Sequence, residues 1–356
     1  MGLIRVVITR ILEDIAATTA VLAALAMMAA QGGRFSDNLD VATHFAVVFV
    51  AMAILAALLA ALTPPTRLRR FTLGMAALAV GLAGLLILPE VFRKTGADSE
   101  PETASVHQIK LIQINSWSGR NQTMAETADW IVAQDPDIIV VEEASRRFQR
   151  ALESRAAYHR TCDPDDRCEV IIYSKVAPIS AGLPKVSEGS FFPATRATFA
   201  APGGEFTVIG AHYTWPVPAG PQQQQSLRLT TMAGLYDRER LIIAGDFNST
   251  PWSFTLRRQD EALGLIRRNQ AMLSWPAMAF SRWDIHMPLP FLAIDHVYAG
   301  SDWVTLDAER GPALGSDHFP VIVTLALPQT DPRLYLPWVV LDAIRSGHGH
   351  RSDVLW

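Results

Sequence analysis

The chain has 356 residues, 49% of them hydrophobic and 19% charged, with a net charge of −4 and a mean hydropathy of +0.17. That composition excludes a disordered chain, and the absence of a basic surplus excludes a surface built for general nucleic-acid attraction. Two cysteines exclude a disulfide scaffold and an all-cysteine zinc site, and the length allows two or three domains.

The apolar excess is local. Ile15–Ala30 reaches span length when the turn from about Ile11 is included, which leaves Glu13 and Asp14 near one interface. Val41–Leu62 has 22 residues without a formal charge, and Phe71–Leu88 has 18, followed by Pro89 and Glu90. About 20 apolar residues cross roughly 30 Å of hydrocarbon, so residues 1–92 are predicted to form a membrane anchor with helices at about 11–30, 41–62 and 71–88. A cleaved signal peptide fits the first run less well, because two further runs follow it. Arg5, Arg10, Arg67, Arg69 and Arg70 lie on one side of this arrangement, with Arg34, Arg93 and Lys94 on the other. The bias predicts a cytoplasmic N-terminus, a multi-pass topology and a C-terminal domain facing outward. His44 reads as an interfacial residue or as an intramembrane functional group.

Residues 93–105 are polar, contain Gly and Pro, and read as a linker. From 106 to 327 short apolar runs alternate with helix-like stretches, and 328–356 form a tail with a GHGH segment. Strands are predicted at Ile109–Ile114, Ile138–Val141, Val170–Tyr173, Thr207–Ala211, Leu241–Ala244, Asp295–Tyr298 and Pro320–Leu325. Helices are predicted at Thr123–Gln134 and Ser226–Asp237, with Gln222–Gln225 beginning the second. Cys162 and Cys168 either close a small loop in an oxidising compartment or remain free thiols.

Polar residues recur where these strands end. KLIQIN ends in Asn115, DIIVVEE in Glu142 and Glu143, FTVIGAH in His212, and LIIAGDFN in Asp246 and Asn248. Asp295 opens IDHV, and GSDH puts Asp317 and His318 before the last strand. Rigid strands can converge such groups on one mouth. Carboxylates, asparagines and histidines with no evident nucleophilic serine or cysteine suit Mg²⁺ or Mn²⁺ rather than zinc, and metal-assisted attack of water on a phosphorus ester.

The order Asn, Glu-Glu, GAH, GDFN, IDH, GSDH resembles the endonuclease/exonuclease/phosphatase superfamily, the deoxyribonuclease-I-like fold, in a membrane-anchored bacterial form. The resemblance covers residues 106–327 and implies an α/β protein, a four-layered α/β/β/α sandwich with its site at one end of the two sheets. It implies that Asn115 and Glu143 hold the metal, with Asp317 as a further ligand, and that Asp246 activates water with Asn248 beside it. His212 and His318 would contact the phosphate, His318 being held by Asp295. With the orientation predicted from the Lys and Arg bias, the bacterial form places the protein in the inner membrane with the catalytic domain on the periplasmic side. Glu142 stands where a glutamine is usual; it either adds negative charge near the metal or points to the sheet face, the second being the reading taken, and His296 is read as structural. Arg196 is either a phosphate clamp or a strand-edge charge. Tyr213, Trp215, Trp275 and Trp283 are either walls of the mouth or packing residues.

The expected partners are a phosphate-ester substrate and, through the N-terminal helices, a lipid bilayer; no protein partner is inferred. Residues 106–327 carry 20 Lys and Arg against 24 Asp and Glu, which gives little attraction for a polyanion. A nuclease is the first named candidate, a phospholipid hydrolase the second, and a non-catalytic sensor module the reading from another class.

Overall fold

The computed structural model describes residues 2–95, 106–163, 168–182, 192–277 and 289–328. The GHGH tail, Trp283 and most of the linker lie outside these residues.

Two sheets of six strands form the body. The first runs β11 (Val304–Arg310), β12 (Val321–Pro328), β1 (Val106–Asn115), β2 (Ile138–Glu142), β4 (Val170–Ser174), β3 (His159–Arg160). The second runs β5 (Ser180–Gly182), β6 (Ala194–Ala201), β7 (Gly204–His212), β8 (Leu241–Asp246), β10 (Asp295–Ala299), β9 (Ile266–Arg267). Period-two alternation decides what each face covers. Leu111, Val140, Ile172, Phe199, Val208, Ala244 and Val297 pack between the sheets. Ile112, Ile114, Val141 and Ile171 face outward beneath α5 (Met124–Ala133) and α6 (Arg146–Glu153). Ile209, Ile243 and Tyr298 face α7 (Ala219–Ala233) and α8 (Phe254–Leu263). The result is the α/β/β/α sandwich, built of two apolar helix–sheet interfaces and one sheet–sheet interface.

Every strand expected from the sequence is present. The structure adds β3, β5 and β9, of two or three residues each, and β6 and β11, whose sequences ATRATFAA and VTLDAER mix short and charged residues and carry no sustained apolar run. The helix expected at Ser226–Asp237 instead spans Ala219–Ala233, with the glutamines inside it.

Before the sandwich come α1 (Gly2–Gln31), α2 (Asp37–His44), α3 (Ala46–Ala61) and α4 (Arg67–Val91). Two helical segments, Ile4–Arg34 and Arg67–Val91, are long and apolar enough to cross a membrane. The expected helix 41–62 is not one rod, because α2 and α3 are bent by 57° at Phe45. The polar side chains of α2 are engaged by the sandwich. Asp40 accepts the backbone N–H of Phe254 at 2.9 Å and of Thr255 at 2.7 Å, and the His44 ring accepts that of Thr250 at 3.1 Å. These bonds turn α2 out of line with the all-apolar α3. At the end of α4, Arg267 donates to both oxygens of Glu90 at 2.9 Å, and both side chains are buried.

Phe199 is buried between the sheets and stacks on Phe206 at 5.3 Å. Phe199→Ala is expected to cost about 3–5 kcal/mol, as large-to-small core changes do. This would show as a lower denaturant midpoint of the full chain in detergent; an unchanged midpoint would contradict a common inter-sheet core.

Candidate active site

Strand register assembles the site. In the first sheet β1 and β2 run parallel with Asn115 opposite Glu142. In the second, β7 and β8 run parallel with His212 opposite Asp246, and antiparallel β10 puts Asp295 opposite Asp246. Two parallel pairs that finish at one edge present their last inward residues to a common space. Gly245 permits the β7–β8 approach there, because a Cβ at this position would lie 1.8 Å from the Ala211 carbonyl oxygen. Glu143 and Asn248 lie just past the ends of β2 and β8, in left-handed backbone with φ of 51° and 47°. Non-glycine residues adopt that conformation at a cost, and it is a frequent mark of functional turns.

A cavity of about 510 Å³ opens at this edge. Asn115, Glu143, His212, Asp246, Asn248, Asp317 and His318 all line it, so seven expected residues meet in one place. Asp295 is fully buried behind His318. Its carboxylate meets His318 Nδ1 at 2.8 Å and accepts from Gln113 Nε2 at 2.8 Å. At the cavity floor Asp246 Oδ2 has His212 Nε2 and His318 Nε2 at 3.6 Å each and accepts from Asn115 Nδ2 at 3.1 Å. The other oxygen, Oδ1, accepts the Asn248 backbone N–H at 2.9 Å, a turn bond that fixes the carboxylate plane.

Electrostatics follow from these contacts. Burial alone would discharge both histidines, but neighbouring carboxylates outweigh it. The pKa of His318 rises to about 10 beside Asp295 and Asp246. That of His212 rises to about 9 beside Glu169 and Asp246. The Glu169 carboxylate lies 3.0 Å from His212 Nδ1, yet off the N–H direction, so the two form an ion pair rather than a hydrogen bond. Burial raises Asp246, and His318 opposes that rise. Asp295 stays below the ordinary carboxylate range despite its burial, because His318 is charged beside it. Two imidazolium groups thus flank one carboxylate over a solvent-reachable cavity, an arrangement able to hold a tetrahedral anion and accept a proton.

The donors also fit a hard divalent cation. Asn115 and Glu143 are adjacent, with Nδ2 to Oε1 at 3.3 Å. Asp317 accepts from Trp275 Nε1 through Oδ2, while its buried Oδ1 has no hydrogen-bond partner. Asp246, Asp295 and His318 also bring ligand atoms within 4.8 Å of one another. Asp295 is committed to His318 and Gln113, however, which leaves the Asn115, Glu143 and Asp317 side as the better fit.

Arg196 is not at this cavity. It shares a face of β6 with Ala194, toward the helix layer, where it donates to Ser180 Oγ at 3.0 Å and lies 5.8 Å from the Tyr236 ring centre. Position 196 is also no strand edge, since β6 lies between β5 and β7, and alternation turns it away from the inter-sheet side that Ala197 faces. Trp215 and Trp275 do wall the cavity and meet edge to face at 5.8 Å. Tyr213 is a core residue, its hydroxyl donating to Gln259. Glu142 does not point to an outer sheet face. It lies between the sheets, accepts from Gln113 Nε2 at 2.9 Å, and burial raises its pKa well above the ordinary range. His296 is structural: its Nε2 meets the Ser249 carbonyl at 2.8 Å, and burial drops its pKa to about 3.

Sequence reasoning did not find Gln113, Glu169, Trp117 or Arg120. Gln113 was legible, since it precedes Asn115 by two on the same strand face. Glu169 carried no local signal. Arg120 and Trp117 line the cavity from the turn after β1.

The model of the Endonuclease/Exonuclease/phosphatase family matches residues 112–318. The chain belongs to that family. Solved structures similar to it include an endonuclease/exonuclease/phosphatase family protein from Bacteroides thetaiotaomicron, at 15% identity over 63% of this chain and 99% of that one, TM-score 0.48. Sphingomyelinase C from Streptomyces griseocarneus is similar at 16% identity over 61% and 99%, TM-score 0.47. Beta toxin from Staphylococcus aureus is similar at 15% identity over 60% and 99%, TM-score 0.46. No curated protein matches the chain. As a family member it is a hydrolase of the phosphodiesterase/phosphatase type.

The His212–Glu169 pair sets a pH dependence. Its contribution is fully present below the ordinary histidine value of about 6.5 and is lost as pH rises through about 9. The alkaline limb of activity should therefore fall near pH 9, and Glu169→Gln should move that limb to lower pH. A limb that stays in place in the variant would remove Glu169 from this role.

Proposed function

We propose that this protein is a membrane-anchored, divalent-metal-dependent phosphodiesterase in which water attacks phosphorus directly. The observation that carries this reading is the placement of one carboxylate oxygen, Asp246 Oδ2, at 3.6 Å from the Nε2 atoms of both His212 and His318. The two imidazolium groups bind the anionic oxygens of the ester and stabilise the charge that grows on them in the transition state. Asp295 fixes Nδ1 of His318 and so keeps its Nε2–H aimed into the cavity. Asp246 takes the proton of the attacking water, and the Asn248 backbone N–H holds its carboxylate in the plane that this transfer needs. Asn115, Glu143 and Asp317 would hold Mg²⁺ or Mn²⁺, which when bound neutralises a phosphoryl oxygen and the leaving oxygen.

The apolar helices support a bilayer as the site of action. Taking the bent pair α2–α3 as a third crossing between the two longer helices, and with Arg5 and Arg10 ahead of them, we place the catalytic domain on the outer, periplasmic side of a bacterial inner membrane. The Cys162–Cys168 disulfide accords with an oxidising compartment. A nucleic-acid phosphodiester is the first substrate reading. A lipid head-group phosphodiester is the second, and one observation favours it. Asn248, on the cavity wall, is two residues from Thr250, which bonds His44 at the head of apolar α3.

The full chain in detergent, offered DNA, RNA, phospholipid vesicles and an aryl phosphodiester, should cleave at least one with Mg²⁺ or Mn²⁺ and none with EDTA. Asp246→Asn should lower turnover by about 10²–10⁴-fold with the fold kept, the range for loss of a general base. Near-normal turnover would remove Asp246 from the water-activating role. Glu143→Gln should raise the Mg²⁺ concentration needed for half-maximal activity, with activity partly restored at high Mg²⁺; an unchanged requirement would discredit Glu143 as a ligand.

A further inference from the structure

The loop that carries Asn248 is gripped by the anchor. Ser253 caps α8 in the ordinary way, its Oγ accepting the Leu256 N–H at 3.1 Å. The two amides between these residues, those of Phe254 and Thr255, go to the two carboxylate oxygens of Asp40 at 2.9 and 2.7 Å, and the Thr255 hydroxyl also donates to Asp40. Asp40 belongs to α2, 214 residues away in sequence, and is 1% exposed. A buried carboxylate at the positive end of a helix satisfies donors the helix cannot satisfy itself.

One turn along α2, His44 Nδ1 accepts the Thr250 N–H at 3.1 Å, and the ring is likewise buried. Asp37 pairs with Arg258 on the next turn of α8. Trp252, from the middle of the loop, is buried in the same apolar cluster as the alanines of α1, α3 and α4.

The other side of the loop belongs to the catalytic layer. Gln222 of α7 donates to the carbonyls of Phe247 and Asn248 at 3.2 and 3.3 Å, and Phe247 N–H donates to the Ile294 carbonyl at 2.9 Å. Residues 247–255 therefore run without slack from the Asp246 carboxylate to α2. Asn248, in left-handed backbone at φ 47°, is the link between the two.

We propose that Asp40 and His44 are positioning residues for catalysis: through residues 249–255, α2 of the anchor sets the placement of Asn248 and hence of the Asp246 carboxylate. This rests on the phosphodiesterase reading given above. The anchor is then part of the machinery that aligns the catalytic base, as well as a tether. Misplacing a reacting group by about 1 Å from a remote change costs around a hundredfold in rate, and that is the scale to expect here.

The test uses the full chain in detergent, with the aryl phosphodiester and Mg²⁺. Asp40→Ala should lower kcat about ten- to a hundredfold while KM and the Mg²⁺ concentration for half-maximal activity stay within about twofold. His44→Leu should do the same to a lesser degree. His44→Asn, whose side-chain oxygen can accept the Thr250 N–H, should restore most of the kcat that His44→Leu loses. A merely structural role would instead lower the amount of folded protein and leave kcat per folded molecule unchanged, and that result overturns the proposal. Equal kcat in His44→Leu and His44→Asn also overturns it, and this pair decides the matter if Asp40→Ala does not fold. Wild-type protein without metal-dependent turnover would sink the phosphodiesterase reading itself, whereas active wild type with unaltered variants sinks only the positioning role.

Discussion

A single buried carboxylate, Asp246, sets the terms for everything around it. A carboxylate without water needs charged or hydrogen-bonding company to remain ionised. This one has Asn115, the Asn248 amide and two imidazole rings within 3.6 Å. The rings must be charged to serve, and each has a carboxylate behind it: Asp295 for His318 and Glu169 for His212. Those partners are placed by strand register, through β10 beside β8 and β7 beside β8. The chemistry of the site and the topology of the sheets are thus one constraint, since a slip of one residue in any of these pairings would turn a member of the site away.

Most of this was legible from residues alone, for a definite reason. Asn115, Glu143, His212 and Asp246 each end a run of β-branched and apolar residues or follow it directly, and such runs announce buried strands. A polar group at the rim of a buried strand stands out against its own segment. GDFN and GSDH add turn chemistry with few alternatives. Arg196 misleads for the complementary reason. Its strand alternates short residues, Thr and Ala, so the inward face cannot be told from the outward one without the partner strands. Glu169 was out of reach because its value lies wholly in a tertiary contact with His212. Glu142 fell between these cases: its parity with Val140 places it between the sheets, beside a Gln113 that shares its burial.

The N-terminal helices show where reading a chain by segments fails. Val41–Leu62 has the composition of one transmembrane rod, yet its first residues belong to α2, an element of the catalytic end. Hydropathy averages over a window and cannot register that Asp40 and His44 are specific partners of a helix N-terminus and a loop more than 200 residues away. Glu90 tells the same story at the close of α4, where a carboxylate that hydropathy reads as a stop signal forms a buried pair with Arg267. The N-terminal helices and the sandwich differ in composition and are joined by specific buried contacts.

In the proposed reaction a water activated by Asp246 attacks phosphorus directly. The stereochemical course at phosphorus tests it most directly, using a phosphorothioate diester of one configuration turned over by the full chain in ¹⁸O-water. Direct attack is a single displacement, so the product should show inversion, with ¹⁸O on phosphorus and none in the released alcohol. Retention would mean two displacements through a covalent enzyme intermediate, and ¹⁸O in the alcohol would mean attack at carbon; either result would contradict the role given to Asp246.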